Sequence, residues 1–332
     1  VVHEALDEKT LTGNIIIQSD LTQSKLLPVI TGHVVNGRVL TPGVLYAEIA
    51  MTVGDYLWKT LVSADDPVGL NVCEFDVHKP LMVEVPPRAE GQHIQVECTA
   101  KLSERIMDVH VRSVTPEGKT LADIGKGLLK FEDRDEWVDQ WERQKFLVQG
   151  QIEQLRHRFA EGKAHQILRK LAYILFEQLV EYSPLYQGMQ QVVLDGQEAM
   201  GFAKIKLQYV PGKDGNFFLS PFAIDNLCHL SGFICNATDV ISEEPFVFIS
   251  HGWESLKFLA PEDISPEKEY TSLVKMVLGE KNICSGDVYV LDDESGHIVA
   301  VLYGLKFQGI PQRLIDVLLP GKRRVKFKDD PQ

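Results

Sequence analysis

Two stretches decide the fold of this chain: residues 40–57, LTPGVLYAEIAMTVGDYL, and residues 219–236, LSPFAIDNLCHLSGFICN. Each opens with a hydroxyl residue and a proline, Thr41-Pro42 in one and Ser220-Pro221 in the other. A hydroxyl at a helix cap accepts an orphan amide proton, and a proline at the first helical position has none to orphan. Both stretches are therefore expected to be helices starting near Pro42 and Pro221. Both are apolar on nearly every side, as in a helix enclosed by protein. The two prolines stand 179 positions apart.

A second pair of segments repeats at nearly the same offset. Residues 117–131, EGKTLADIGKGLLKF, carry a turn glycine at Gly118 and G-L-L-K-F from Gly127. Residues 295–307, SGHIVAVLYGLKF, carry Gly296 and G-L-K-F from Gly304. Such matches are weak singly, but several at one offset mark an internal repeat. Strand-like segments surround each predicted helix: 14–19, 93–101, 106–115 and 120–131 in the first half, and 199–209, 246–250, 253–258, 270–278, 286–292 and 297–308 in the second. In the last of these, Val299, Val301, Tyr303, Leu305 and Phe307 alternate as one face of a strand. Strand-rich halves with one enclosed helix each give an α+β fold of antiparallel sheet. A sheet wrapped around a central helix is the hot-dog shape, so the chain reads as a double hot-dog of two such sheets.

Residues 134–182 read as a helical connection. Trp137 and Trp141 sit four apart, and Ile167, Leu171, Leu175 and Leu179 form a stripe at helical spacing. Their expected role is packing. The first lobe is placed in residues 1–150, with the start of the connecting helices. Residues 151–332 hold the linker helix and the second lobe.

The chain has 332 residues, too many for one ordinary core and suited to two lobes. Hydrophobic residues at 44 % and charged residues at 24 % are ordinary for a globular protein. No apolar run approaches the ~20 residues of a membrane span. No secretory signal precedes the first strand-like segment. The first residue is Val1, not Met, so the chain is expected to be a piece of a longer protein. A net charge of −13 argues against nucleic acid as a partner. The basic cluster Lys322, Arg323, Arg324, Lys326 and Lys328 is expected to be a solvated tail, or alternatively a contact for an acidic carrier protein. Five cysteines without C-x-x-C spacing make a disulfide framework or zinc site unexpected, and fit the reducing cytoplasm.

Several common sites are missing. There is no G-x-S-x-G elbow, no G-x-G-x-x-G, no Walker A loop and no H-E-x-x-H. What remains is paired across the repeat. His33 lies nine residues before Pro42, and Asp225 lies one turn into the second helix, with His229 four residues on. If a pseudo-twofold relates the lobes, His33 and Asp225 meet between them. That pair offers a general base near neutral pH and a carboxylate to orient it.

The segment HVVNGRVLTPG, from His33 to Gly43, resembles the H-x-x-x-G-x-x-x-x-P motif of polyketide and fatty-acid synthase dehydratases. DNLCH, from Asp225 to His229, resembles their D-x-x-x-Q/H motif. YSPLYQGMQQV, from Tyr182, resembles the Y-x-G-M segment of product template domains of fungal non-reducing polyketide synthases, and SHGWESLKF, from Ser250, resembles their strand before the closing sheet. This resemblance spans nearly the whole chain. It implies that His33 is the catalytic base and Asp225 its partner, and that Gly43, Tyr186, His229, Ser250 and His251 line a substrate chamber. It further implies regioselective aldol cyclisation and aromatisation of a poly-β-ketone held on the phosphopantetheine arm of an acyl carrier protein. No metal or bound cofactor is implied; partners would be the carrier and other synthase domains, with a homodimer possible. Two alternatives stay open: a dehydratase, in which Asp225 protonates a departing β-hydroxyl, and a non-catalytic acyl-binding module.

Overall fold

The computed structural model describes residues 1–86, 89–177, 180–237, 246–311 and 314. The first half contains β1 (His3–Asp7), β2 (Thr12–Asp20), α1 (Leu27–Thr31), β3 (His33–Val35), β4 (Arg38–Leu40), α2 (Val44–Leu61), β5 (Gly69–Val77), β6 (Met82–Val83), β7 (His93–Lys101), β8 (Ile106–Val114) and β9 (Thr120–Glu132). The middle contains α3 (Arg134–Ala160), β10 (His165–Leu168), α4 (Arg169–Phe176) and β11 (Val180–Tyr182). The second half contains β12 (Met189–Asp195), β13 (Met200–Lys206), α5 (Pro221–Ala237), β14 (Phe246–Phe258), β15 (Glu269–Leu278), β16 (Ile283–Asp292) and β17 (Ile298–Pro311).

The repeat is real in three dimensions. Read inward from one side, the strands run β2-β7-β8-β9-β5; from the other they run β13-β15-β16-β17-β14. Every pairing is antiparallel. Gly118 and Gly296 occupy equivalent turns, both with positive φ. Each half curls around its own apolar helix, α2 or α5, and the side chains of both helices enter one continuous core. The two expected sheets are not separate, however. Among the described residues they join edge to edge through β5 and β14 into a single 13-stranded sheet. At this seam Phe75 and Trp253 stack with centroids 4.6 Å apart and planes 9° from parallel.

Gly252 makes the seam possible. It sits at φ +140 beside a bulge in β14, and a Cβ there would collide with the carbonyl oxygen of Phe75. Only glycine allows that approach.

Some local expectations are corrected. Thr41 and Ser220 do not cap with their hydroxyls, which have no hydrogen-bond partner; Gly43 stands at the cap of α2. At α5 the backbone carbonyl of Ser220 takes the amides of Ala223 and Ile224. The alternation along residues 299–307 breaks. Val301 and Tyr303 pack with α3, whereas Val299, Leu305 and Phe307 join the main core, because β17 shifts register and Gly304 takes φ +56. The stretch 134–182 is not one helical stripe. α3 starts at Asp133, whose carboxylate accepts the Asp135 amide at 2.8 Å, and runs across position 150 to Ala160. Ile167 belongs to β10, Leu171 is exposed on α4, and Leu179 lies outside the described residues. Trp137 and Trp141 do pack as expected, buried with centroids 6.0 Å apart where α3 crosses the outer face of the second lobe. The basic cluster at 322–328 also lies outside the described residues. No described helix is long and apolar enough to cross a membrane, and all five cysteines are free thiols.

Candidate active site

His33 is a strand residue rather than a loop residue. A small sheet, β11-β3-β4-β6, holds it, and in that sheet His33 pairs in register with Tyr182. Asn36 and Gly37, both with positive φ, make the two-residue turn from β3 to β4, the conformation an Asn-Gly hairpin favours. The sheet lies on one side of a cavity of about 130 Å³, and α5 lies on the other. His33, Gly43, Asp225, His229 and Ser250 all line it. The expected pair therefore faces one chamber across the two lobes.

The direct bond between them is not made. His33 Nδ1 and Asp225 Oδ2 are both without a hydrogen-bond partner, as are both ring nitrogens of His229. Asp225 Oδ2 lies 3.8 Å from His229 Nδ1, beyond hydrogen-bonding distance. His33 and Asp225 both line the chamber, and neither His33 Nδ1 nor Asp225 Oδ2 finds a partner on its walls.

Desolvation then sets their charge. Loss of water pulls the His33 imidazole down to about 4, although its own backbone and the Leu40 carbonyl resist. It pushes the Asp225 carboxyl up to about 7. His229 falls to about 3, by burial first and by the neighbouring His33 second. Near neutral pH the chamber thus holds two neutral imidazoles and a carboxyl poised to gain or lose a proton. Burial dominates at His33, and Asp225 is not among the causes of its shift.

An aromatic wall keeps water away. Tyr182 stands edge-on to His33, centroids 5.3 Å apart, and to His229 at 4.1 Å. Phe176 lies 4.9 Å from His229. Sequence reasoning missed Tyr182 and Phe176 as chamber residues, along with Thr41 and Cys228. Tyr182 was within reach, since it opens the segment in which Tyr186 was singled out.

Two expected lining residues are corrected. Tyr186 is fully buried behind the chamber, donates its hydroxyl to the Val29 carbonyl at 2.7 Å, and packs on Phe222. It supports His33 from the side and does not line the cavity. His251 stays out because it occupies the bulge between Ser250 and Gly252. The same segment as Tyr186 braces α5. The side chain of Asn226, next to Asp225, accepts the Gly188 amide at 2.7 Å and donates to the Leu185 carbonyl at 2.9 Å. A Cβ on Gly188 would lie 2.5 Å from Asn226 Oδ1, so the glycine of this segment serves that close approach.

Residues 1–113 match the family model described as polyketide synthase dehydratase domain, and residues 162–313 that described as polyketide synthase dehydratase N-terminal domain. Fold and site together define a dehydratase-type double hot-dog domain of a polyketide synthase. The non-reducing polyketide synthase Preu8 of Preussia isomera is 44 % identical over 321 residues, 96 % of this chain and 15 % of that protein. The non-reducing polyketide synthase PKS1 of Zymoseptoria tritici is 41 % identical over 320 residues, again 96 % of this chain and 14 % of that protein. The chain thus spans only a small part of these curated relatives. The dehydratase domain of PpsC from Mycobacterium tuberculosis, solved in complex with C12:1-CoA, shares the fold with a TM-score of 0.65 at 14 % identity, covering 93 % of this chain and 97 % of that one. The chain belongs to the polyketide synthase dehydratase family, as a product template domain of the fungal non-reducing synthases.

Proposed function

We propose that the chamber takes a poly-β-ketone chain from the phosphopantetheine arm of an acyl carrier protein and closes one aromatic ring in it by aldol cyclisation. The observation that carries this reading is the juxtaposition in one apolar chamber of a neutral His33 and a carboxyl, Asp225, held up to about 7, each with an unpartnered polar atom. A methylene between two carbonyls gives its proton to the His33 imidazole and becomes an enolate. The enolate carbon bonds to a distant carbonyl carbon of the same chain. The carbonyl oxygen, gaining the electron pair, takes the proton of Asp225. Loss of water then aromatises the ring.

In this reading Asp225 acts as an acid toward oxygen rather than as a partner that fixes the His33 tautomer. Proton transfer of this kind contributes about 10²–10⁴-fold. Holding the chain so that one pair of carbons meets contributes the selectivity.

The test is reconstitution with separately expressed loading and condensing domains and carrier of a non-reducing synthase. Without this domain the polyketone should cyclise spontaneously to several products. With it, one aromatic regioisomer should dominate, and His33→Ala should return the mixture to the spontaneous pattern with an unchanged circular-dichroism spectrum. A dehydratase would leave the mixture alone and convert a β-hydroxyacyl thioester to its enoyl form. If wild type and His33→Ala give the same distribution, the cyclase reading is wrong.

A further inference from the structure

Most of the other polar side chains on the chamber wall are already committed. The Ser231 hydroxyl donates to the Cys228 carbonyl at 2.6 Å, and the Cys228 thiol to the Asp225 carbonyl at 3.4 Å. The Asn236 amide bonds to Gly232 and to Phe248 of β14. Lys306 Nζ lies 3.7 Å from a carboxylate oxygen of Glu254. Thr41 is different. It is 8 % exposed, and its hydroxyl has no hydrogen-bond partner. The hydroxyls of Ser183, Ser220 and Ser272 share that state, but of these four residues Thr41 is the one that lines the chamber.

The backbone fixes Thr41 next to His33. β3 and β4 pair with Val34 opposite Val39, and one step further in the same register sets Leu40 opposite His33. Burial pulls the His33 pKa down, and the Leu40 carbonyl is near enough to the imidazole to resist. Thr41 follows directly, and its amide donates to the Leu81 carbonyl at 2.9 Å. Pro42 after it favours an extended backbone at Thr41, and a β-branched side chain has few rotamers. For folding alone such a hydroxyl is a loss. It gives up hydrogen bonds to water and gains none, whereas a valine of the same shape has none to give up.

We propose that Thr41 is the enolate-stabilising donor of the chamber: its hydroxyl donates a hydrogen bond to the ketone oxygen next to the methylene that His33 deprotonates. The methylene proton goes to the imidazole. The electron pair of the broken C–H bond forms the C=C bond, and the charge moves onto the neighbouring ketone oxygen. Thr41 keeps its own proton and meets that charge. Asp225 remains the acid for the second carbonyl, where the new carbon–carbon bond forms. A donor already aimed at a developing oxyanion in a water-poor site lowers the barrier without reorganising. This rests on the cyclase reading above and adds to it the group that stabilises the first intermediate.

The experiment follows exchange of the α-methylene hydrogens of a 3-ketoacyl-pantetheine thioester for deuterium in heavy water, read by mass spectrometry above the buffer rate. This probe has a single ketone and a short chain, so enolate formation is measured apart from ring closure. Wild type should accelerate the exchange and His33→Ala should not. Thr41→Val should lower the maximal rate about ten- to a hundredfold, with KM changed less, and should melt no lower than wild type. Thr41→Ser should restore most of the rate.

Exchange by Thr41→Val at the wild-type rate, with His33→Ala inactive, would overturn the role of Thr41 and leave the cyclase reading standing. A valine variant that melts lower or fails to fold would overturn it too, because the hydroxyl would then serve the fold. So would equal losses in the valine and serine variants, which would assign the effect to shape. No acceleration by wild type, or equal exchange by wild type and His33→Ala, would remove the cyclase reading and this one together.

Discussion

At the scale of single residues, the site is governed by desolvation more than by pairing. Asp225 rises from 3.8 to about 7 because burial penalises the carboxylate. A carboxyl raised on folding makes the protein less stable as it ionises. The loss begins as pH rises through 3.8 and is complete above about 7. Asp225→Asn removes it, so the variant should gain on wild type across that window by up to about 4 kcal/mol, at ~1.4 kcal/mol per pKa unit. Denaturant midpoints at pH 4.5 and pH 8 measure the difference, and His33 and His229, present in both proteins, cancel. A constant difference across pH would mean that Asp225 is not desolvated. The same pKa makes cyclisation sensitive to pH: with Asp225 as the acid, the single-turnover rate should fall as pH passes 7, whereas a tautomer-fixing carboxylate would make it rise. That His33 and Asp225 face one chamber was legible in the sequence, because each lies close to the start of a repeated helix. That His33 Nδ1 and Asp225 Oδ2 stay unpartnered there was not, since it depends on how the two lobes place their walls. The contact of Tyr182 with His33 was not legible for a related reason: it is a strand pairing between segments far apart in the chain.

At the scale of elements, α2 and α5 were readable and their caps were not. The proline and the apolar run announce each helix, but Thr41 sits in the chamber wall and Ser220 packs in a buried loop, so neither hydroxyl reaches an amide. The short strands β3, β4, β6, β10 and β11 escaped notice because two to four residues carry no readable period. A different side chain ties the helices together. Glu48, buried on α2, accepts the Thr52 hydroxyl at 2.7 Å and the Phe218 amide at 2.9 Å, just before α5 begins. Burial lifts its carboxyl to about 6 against these two hydrogen bonds. Glu48→Gln keeps an acceptor and should cost under about 1 kcal/mol. Glu48→Leu leaves the Phe218 amide buried without a partner and should cost roughly 1–3 kcal/mol. Urea titration of both variants checks the pair, and equal losses would show that the acceptor is not what matters.

At the scale of the whole molecule, the repeat was legible and the joining of the sheets was not. Equivalent turn glycines and G-L-K-F strands showed two related halves. Nothing in a repeat tells whether their sheets face one another or share an edge. β5 also went unnoticed, and it is the strand that makes the seam. The seam gives a sharp test. Gly252→Ala places a Cβ against the Phe75 carbonyl at a φ of +140, which an L side chain rarely adopts. It should cost more than about 3 kcal/mol, in the range of strained or overpacked core changes. Thermal melting measures it; a loss within ~0.5 kcal/mol would mean the two strands need not approach so closely.

That shared edge also constrains how the chamber is loaded and emptied. Lobes joined by a continuous hydrogen-bonded ladder, with Phe75 and Trp253 stacked across it, cannot swing apart like the halves of a clamshell without breaking the sheet. Under the proposed function, a flexible chain would be threaded in lengthwise and a rigid aromatic product drawn back out. Egress would then slow as the product grows longer and flatter, whatever the speed of the bond-forming step.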